Sequence, residues 1–154
     1  DKLTPGEVEA VLAHELGHFK CKHIRKRLIV SFALSFVTFA LLGWISTQVW
    51  FYTDLGVMPN LNGYNGGLAL ALFMLVSPVF SFFFTPLGSL ASRKHEYEAD
   101  GFAAQKSSAH DLISALVKLY QDNASTLTPD PIYTAFYSSH PPAPLRIAHL
   151  QRLG

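Results

Sequence analysis

Charge is scarce in this 154-residue chain, cysteine almost absent, and no basic stripe runs along it. Charged residues make up 15%, where an ordinary soluble domain carries about 25%, so the chain is too apolar for that class. Hydrophobic residues at 49%, twelve of the residues being Phe, fill the space. With a net charge of +1 and no arginine run interleaved with aromatics, nothing points to nucleic acid. The one cysteine, Cys21, rules out an internal disulfide framework and reads as a small buried or surface thiol. No signal peptide is visible, because the first apolar run starts well inside the chain and is too long for one. The chain opens at Asp1 rather than Met, and a piece of a longer protein is expected.

What is present falls into five segments without an internal repeat. Thr4 to about Lys22 reads as a helix: Thr4 as N-cap, Pro5 at the first helical position and Glu7 three residues after the cap. Val8, Val11, Leu12, Glu15, Leu16 and Phe19 then recur at helical spacing. Leu28 to Tyr52 carries no charge and exceeds the roughly 20 apolar residues a membrane span needs. Trp44, Trp50 and Tyr52 suit an interfacial belt. A loop rich in Asn, Gly and Pro follows, then a second apolar span, Leu68 to Ala91, in which Pro78 and Pro86 predict kinks. Lys20, Lys22, Arg25, Lys26 and Arg27 precede the first span, Arg93 and Lys94 follow the second, and the loop has no Lys or Arg. The positive-inside rule then puts both ends of the hairpin in the cytoplasm. Ser92 to about Tyr120 reads as one or two helices with a break near Ser107 and Ser108, Leu112, Ala115, Leu116 and Leu119 forming an apolar face. A polar loop to Pro144 and a short helix with Leu145, Ile147, Leu150 and Leu153 close the chain.

The chemistry-bearing string is His14-Glu15-Leu16-Gly17-His18. Two histidines four apart share one helical face and can bind one metal at roughly 2.0–2.1 Å. Glu15 is turned about 100° from His14, so it reaches a water beside the metal rather than the metal, and can act as general base. A catalytic zinc needs a third protein ligand and an open position. Cys21 and Ile24 stand where an elongated motif would continue, and Cys21 is two turns from His14, too far to share the metal. The hairpin returns the chain to the same side, which makes Glu96 the third-ligand candidate. Asp100, four residues on, shares its face and can fix the tautomer of a ligand histidine. Glu98 points about 200° away and reads as solvated or ion-paired. His23, His95, His110 and His149 read as surface or packing residues.

These pieces resemble the type I CAAX prenyl protease family, membrane zinc metalloendopeptidases with an HExxH motif. The resemblance rests on Leu3 to Phe19, the two-span hairpin, Glu96 to Asp100, Leu119 to Asn123, and Ser139-His140-Pro141-Pro142 with Arg146-Ile147, in family order over nearly the whole chain. It implies one zinc ion on His14, His18 and Glu96, Glu15 as base, Asp100 behind the ligands, and His140 and Arg146 near the substrate carbonyl. On its own His140 would be an ordinary loop residue, and Arg146 a surface charge or the partner of an acid. The implied fold is an all-α integral membrane protein, a zincin-like HExxH helix and a Glu-ligand helix joined by the hairpin, with 1–154 as one peptidase domain from the C-terminal part of a longer protease. The implied setting is a bacterial inner membrane or the endoplasmic reticulum. The implied partners are the lipid bilayer and a peptide or protein substrate with a prenylated C-terminus, whose last three residues are removed. A quality-control membrane protease of the HtpX type shares the layout, and a non-catalytic metal-binding scaffold is the reading outside enzymes.

Overall fold

The computed structural model describes residues 2–122 and 130–154. Among them the regular structure is entirely α-helical: α1 (Pro5–Lys20), α2 (His23–Ile45), α3 (Val49–Thr53), α4 (Gly66–Lys106), α5 (Ala109–Asp122), α6 (Pro131–Tyr137) and α7 (Ala143–Gln151). The chain forms two compact units, one of residues 1–25 with 85–154 and one of residues 26–84. The expected contribution of Asn123 lies outside the described residues.

In the first unit, α1 starts as its sequence dictates. The Thr4 hydroxyl accepts from the Glu7 amide and the Glu7 carboxylate accepts from the Thr4 amide, a capping box with Pro5 at the first turn. Glu7 is buried and also accepts from Ser114 Oγ (2.6 Å) and Lys118 Nζ (2.7 Å) on α5, tying the two helices together. The Lys118 and Ser114 hydrogen bonds, with the Thr4 amide, pull its carboxyl down from 4.5 to about 2. A depressed carboxylate pKa adds stability that is complete above its unfolded value and lost as pH falls toward the folded one. Thermal unfolding of Glu7→Gln beside the parent should show a clear gap at pH 7 that closes between pH 4.5 and about 2. A gap independent of pH would refute this linkage.

The core of this unit is Ala10, Ala13, Ala103, Leu112, Leu116 and Leu150. A bulky apolar stripe at helical spacing ordinarily faces the core. Instead Val8, Leu12, Leu16 and Phe19 are exposed and the small residues Ala10, Ala13 and Gly17 are buried. Gly17 explains the reversal. A Cβ there would stand 3.0 Å from the Ala99 Cα and carbonyl oxygen, so α1 and the last part of α4 touch almost backbone to backbone. Helix α4 ends at Lys106 and α5 starts at Ala109, the break expected at the two serines. The stretch read as a plain loop to Pro144 contains α6, started by Asp130, whose carboxylate accepts from the Ile132 and Tyr133 amides, with Pro131 at the first turn.

In the second unit, Ile45, Phe51, Tyr52, Ala69 and Leu72 pack together. The apolar run expected to span from Leu28 to Tyr52 is divided. Helix α2 covers His23–Ile45, and at its end the Ser46 and Thr47 hydroxyls donate to the Gly43 and Trp44 carbonyls (2.8 Å each) before α3 begins. After the charged turn ending at Arg27, the uncharged residues 28–45 of this helix reach about 27 Å at 1.5 Å per residue, and their number falls within the roughly 17–25 residues that suffice to cross a bilayer core. Helix α4 is 41 residues long and is also apolar enough to cross a membrane. It runs through Pro78 and Pro86 without interruption, and Glu96 lies on this same helix rather than on a separate one opening after the span. A proline removes one N–H, but in an apolar setting breaking the helix would strand several more groups.

Candidate metal centre

His14 and His18 lie one turn apart on α1, and Glu96 and Asp100 one turn apart on α4. The Gly17–Ala99 approach brings these faces together. The His14 and His18 Nε2 atoms are 3.2 Å apart, His14 Nε2 is 3.6 Å from Glu96 Oε2, and His18 Nε2 is 3.3 Å from Glu96 Oε1. Ligands on a tetrahedral ion at 2.0–2.1 Å stand about 3.3 Å from one another, so this triangle already has the size of a zinc cage. Two imidazoles and a carboxylate are also a donor set that zinc favours.

The His14 imidazole is held from behind. His14 Nδ1 donates to Asp100 Oδ1 (2.9 Å), which leaves Nε2 bare toward the triangle. Asp100 is fully buried and takes a two-pronged contact from Arg146, Nε to Oδ2 at 2.8 Å and Nη2 to Oδ1 at 2.5 Å. Burial alone would push the Asp100 carboxyl up. The Arg146 and His14 hydrogen bonds outweigh it and hold the group ionised, below its ordinary value. Burial, aided by the nearby His14 and His23, outweighs the pull of Glu96 and lowers the His18 imidazole, favouring the neutral form that binds metal.

Glu15 stands exposed on the adjoining side of α1. His140 reaches in from the segment before α7, its Nδ1 3.1 Å from Glu96 Oε2, while its side chain stays 64% exposed. That segment is anchored by Arg93, which donates to the Thr134 (2.9 Å) and Ser138 (3.1 Å) carbonyls, and by the Tyr120 hydroxyl on the Pro141 carbonyl (3.4 Å). Arg146, on α7, is buried rather than facing solvent, and its Nη1 lies 3.4 Å from Glu96 Oε2. Its prongs are occupied by Asp100, an acid 46 positions earlier. His110 is exposed beside Asp111, and His149 packs on Tyr97. His23 differs from the surface or packing role read for it. It is 3% exposed, 2.9 Å from both His18 and Glu98, and stacked on His95. Glu98 is ion-paired, with His23 and with Lys94 at 3.9 Å. Cys21, His23 and Glu98 form a second close group of potential ligand atoms.

The model of peptidase family M48 matches residues 1–153. The chain belongs to peptidase family M48. It is 33% identical over 157 residues to CAAX prenyl protease 1 of Saccharomyces cerevisiae, covering 94% of this chain and 34% of that protein. It is 36% identical over 153 residues to the CAAX prenyl protease 1 homolog of Homo sapiens, covering 96% of this chain and 30% of that one. The crystal structure of S. mikatae Ste24p superposes with a TM-score of 0.83 at 31% identity, over 97% of this chain and 37% of that one. The chain thus spans about a third of the length of these relatives.

Proposed function

We propose that this chain is the metal-binding part of a zinc-dependent membrane endopeptidase that trims the C-terminus of prenylated proteins. The observation that carries the reading is the triangle of His14, His18 and Glu96 atoms, sized for zinc, beside the exposed carboxylate of Glu15. Bound there, zinc would polarise the scissile carbonyl and acidify the attacking water. Glu15 accepts the proton of that water and passes it to the departing amine. His140, exposed and one hydrogen bond from Glu96, turns an N–H to the carbonyl oxygen as it gains charge. Arg146 serves from behind, locking Asp100 and facing Glu96, so that His14 and Glu96 keep their orientation. The prenylated substrate is supported by the relatives, which are named CAAX prenyl protease 1 and its homolog. The length and apolarity of α2 and α4 support two membrane spans, and the cationic residues flanking them support a metal centre on the cytoplasmic side.

The test uses the whole protein in detergent. One zinc per chain should co-purify, a chelator should abolish cleavage and zinc should restore it. A farnesylated CAAX peptide should be cut in preference to the same peptide without its lipid. Cleavage indifferent to chelator would overturn the zinc assignment, and indifference to the lipid would overturn the substrate.

A further inference from the structure

We infer that His23 and Glu98 position the second ligand imidazole, His18, through a two-step hydrogen-bond relay, as Asp100 positions the first. The inference rests on the ligand set proposed above. His14 has a carboxylate directly behind it, Asp100 at 2.9 Å. Behind His18 stands an imidazole: His18 Nδ1 and His23 Nδ1 are 2.9 Å apart, and the other nitrogen of His23, Nε2, is 2.9 Å from Glu98 Oε2. One proton arrangement satisfies every atom. With His18 Nε2 bare toward the metal, its proton sits on Nδ1 and is donated to a bare His23 Nδ1. His23 then carries its proton on Nε2 and donates it to Glu98. Each ring nitrogen has one task and the chain ends on a carboxylate, the partner that orients ligand histidines and raises their basicity.

The backbone is shaped for this contact. Residues five apart on an unbroken helix do not face one another. Here α1 stops at Lys20, and Lys22 adopts a left-handed φ of 57° although it is not glycine. That turn carries the His23 ring back against His18, where it is buried and stacked on His95 with centroids 4.1 Å apart.

Cys21, His23 and Glu98 could instead be read as a second metal site, their potential ligand atoms lying within 4.8 Å of one another. The distances decide against it. The 2.9 Å between His23 Nε2 and Glu98 is the length of a hydrogen bond. It is shorter than the roughly 3.3 Å edge of a zinc tetrahedron, which the His14–His18–Glu96 triangle does show.

The test measures zinc affinity by competition with a chromophoric chelator, and the visible spectrum of the cobalt-substituted protein. His23→Ala should weaken zinc binding about 10- to 100-fold. His23→Asn, whose amide oxygen replaces the accepting Nδ1, should recover most of the loss and the parent cobalt spectrum. His23→Phe, which keeps the stack on His95 but cannot accept, should stay weak. Glu98→Ala, a change at a half-exposed position that does not threaten folding, should weaken binding in the same direction. Full affinity in His23→Phe with none regained in His23→Asn would make the role one of packing and overturn the relay. So would a second bound zinc lost in Cys21→Ser. Unchanged affinity in both His23→Ala and Glu98→Ala, with tight zinc in the parent, would sink the relay alone. A parent that binds no zinc would sink the ligand set beneath it.

Discussion

Replacing Glu15 by Gln should leave one zinc bound per chain and reduce peptide hydrolysis by about two to four orders of magnitude. The substitution preserves shape, and Glu15 is exposed, so no packing is lost. His14, His18 and Glu96 keep the partners that hold them, since Glu15 lies on the adjoining side of α1. In the proposed mechanism, what disappears is a proton acceptor beside the attacking water. A loss of that size raises the barrier by about 3 to 5 kcal/mol. The check pairs metal analysis with kcat on a peptide substrate. Full turnover with zinc in place would remove Glu15 from the mechanism, and loss of zinc would make it a ligand instead.

Replacing Asp100 by Leu should cost about 3–5 kcal/mol of stability and weaken zinc binding as well. Asp100 is 0% exposed and Arg146 only 8%, so the guanidinium would be left charged, buried and without its two-pronged partner. His14 would also lose the acceptor that fixes its tautomer. The companion variant Asp100→Leu with Arg146→Met removes both charges and should regain much of the stability. It should not regain zinc affinity, because the His14 acceptor is still missing. Denaturant unfolding in detergent and chelator competition separate the two effects. An unchanged unfolding midpoint in Asp100→Leu would contradict the burial argument.

The features legible in the sequence are those set by neighbours along the chain. The Thr4–Pro5–Glu7 start of α1 is local chemistry. The pairs His14 with His18 and Glu96 with Asp100 follow from helical pitch, and the break at Ser107 and Ser108 from residues that favour caps. Features set by packing were hidden. Periodicity marked Val8, Leu12, Leu16 and Phe19 as the apolar face of α1, but an apolar face is not always the covered one. Close approach of two helices demanded small residues, so Ala10, Ala13 and Gly17 went inward. The division of the first apolar run depended on Ser46 and Thr47 capping carbonyls, which hydropathy does not register. His23 was invisible because its contact needs a left-handed turn at Lys22, where no glycine advertises one. The Asp130-Pro131 start of α6 was readable in principle, as an acidic cap before a first-turn proline.

The Gly17–Ala99 contact bears on how robust the site is to evolutionary drift. Because two nearly bare backbones touch there, the spacing of the candidate metal donors is gauged by main chain, whose dimensions do not vary with sequence. Leucines elsewhere in the interior can be traded for other apolar shapes, costing stability but barely moving the donors. A methyl group added at residue 17 acts like a shim under a calibrated instrument. Tolerance to mutation in this unit is therefore uneven, generous in the hydrophobic interior and narrow at a residue that has no side chain.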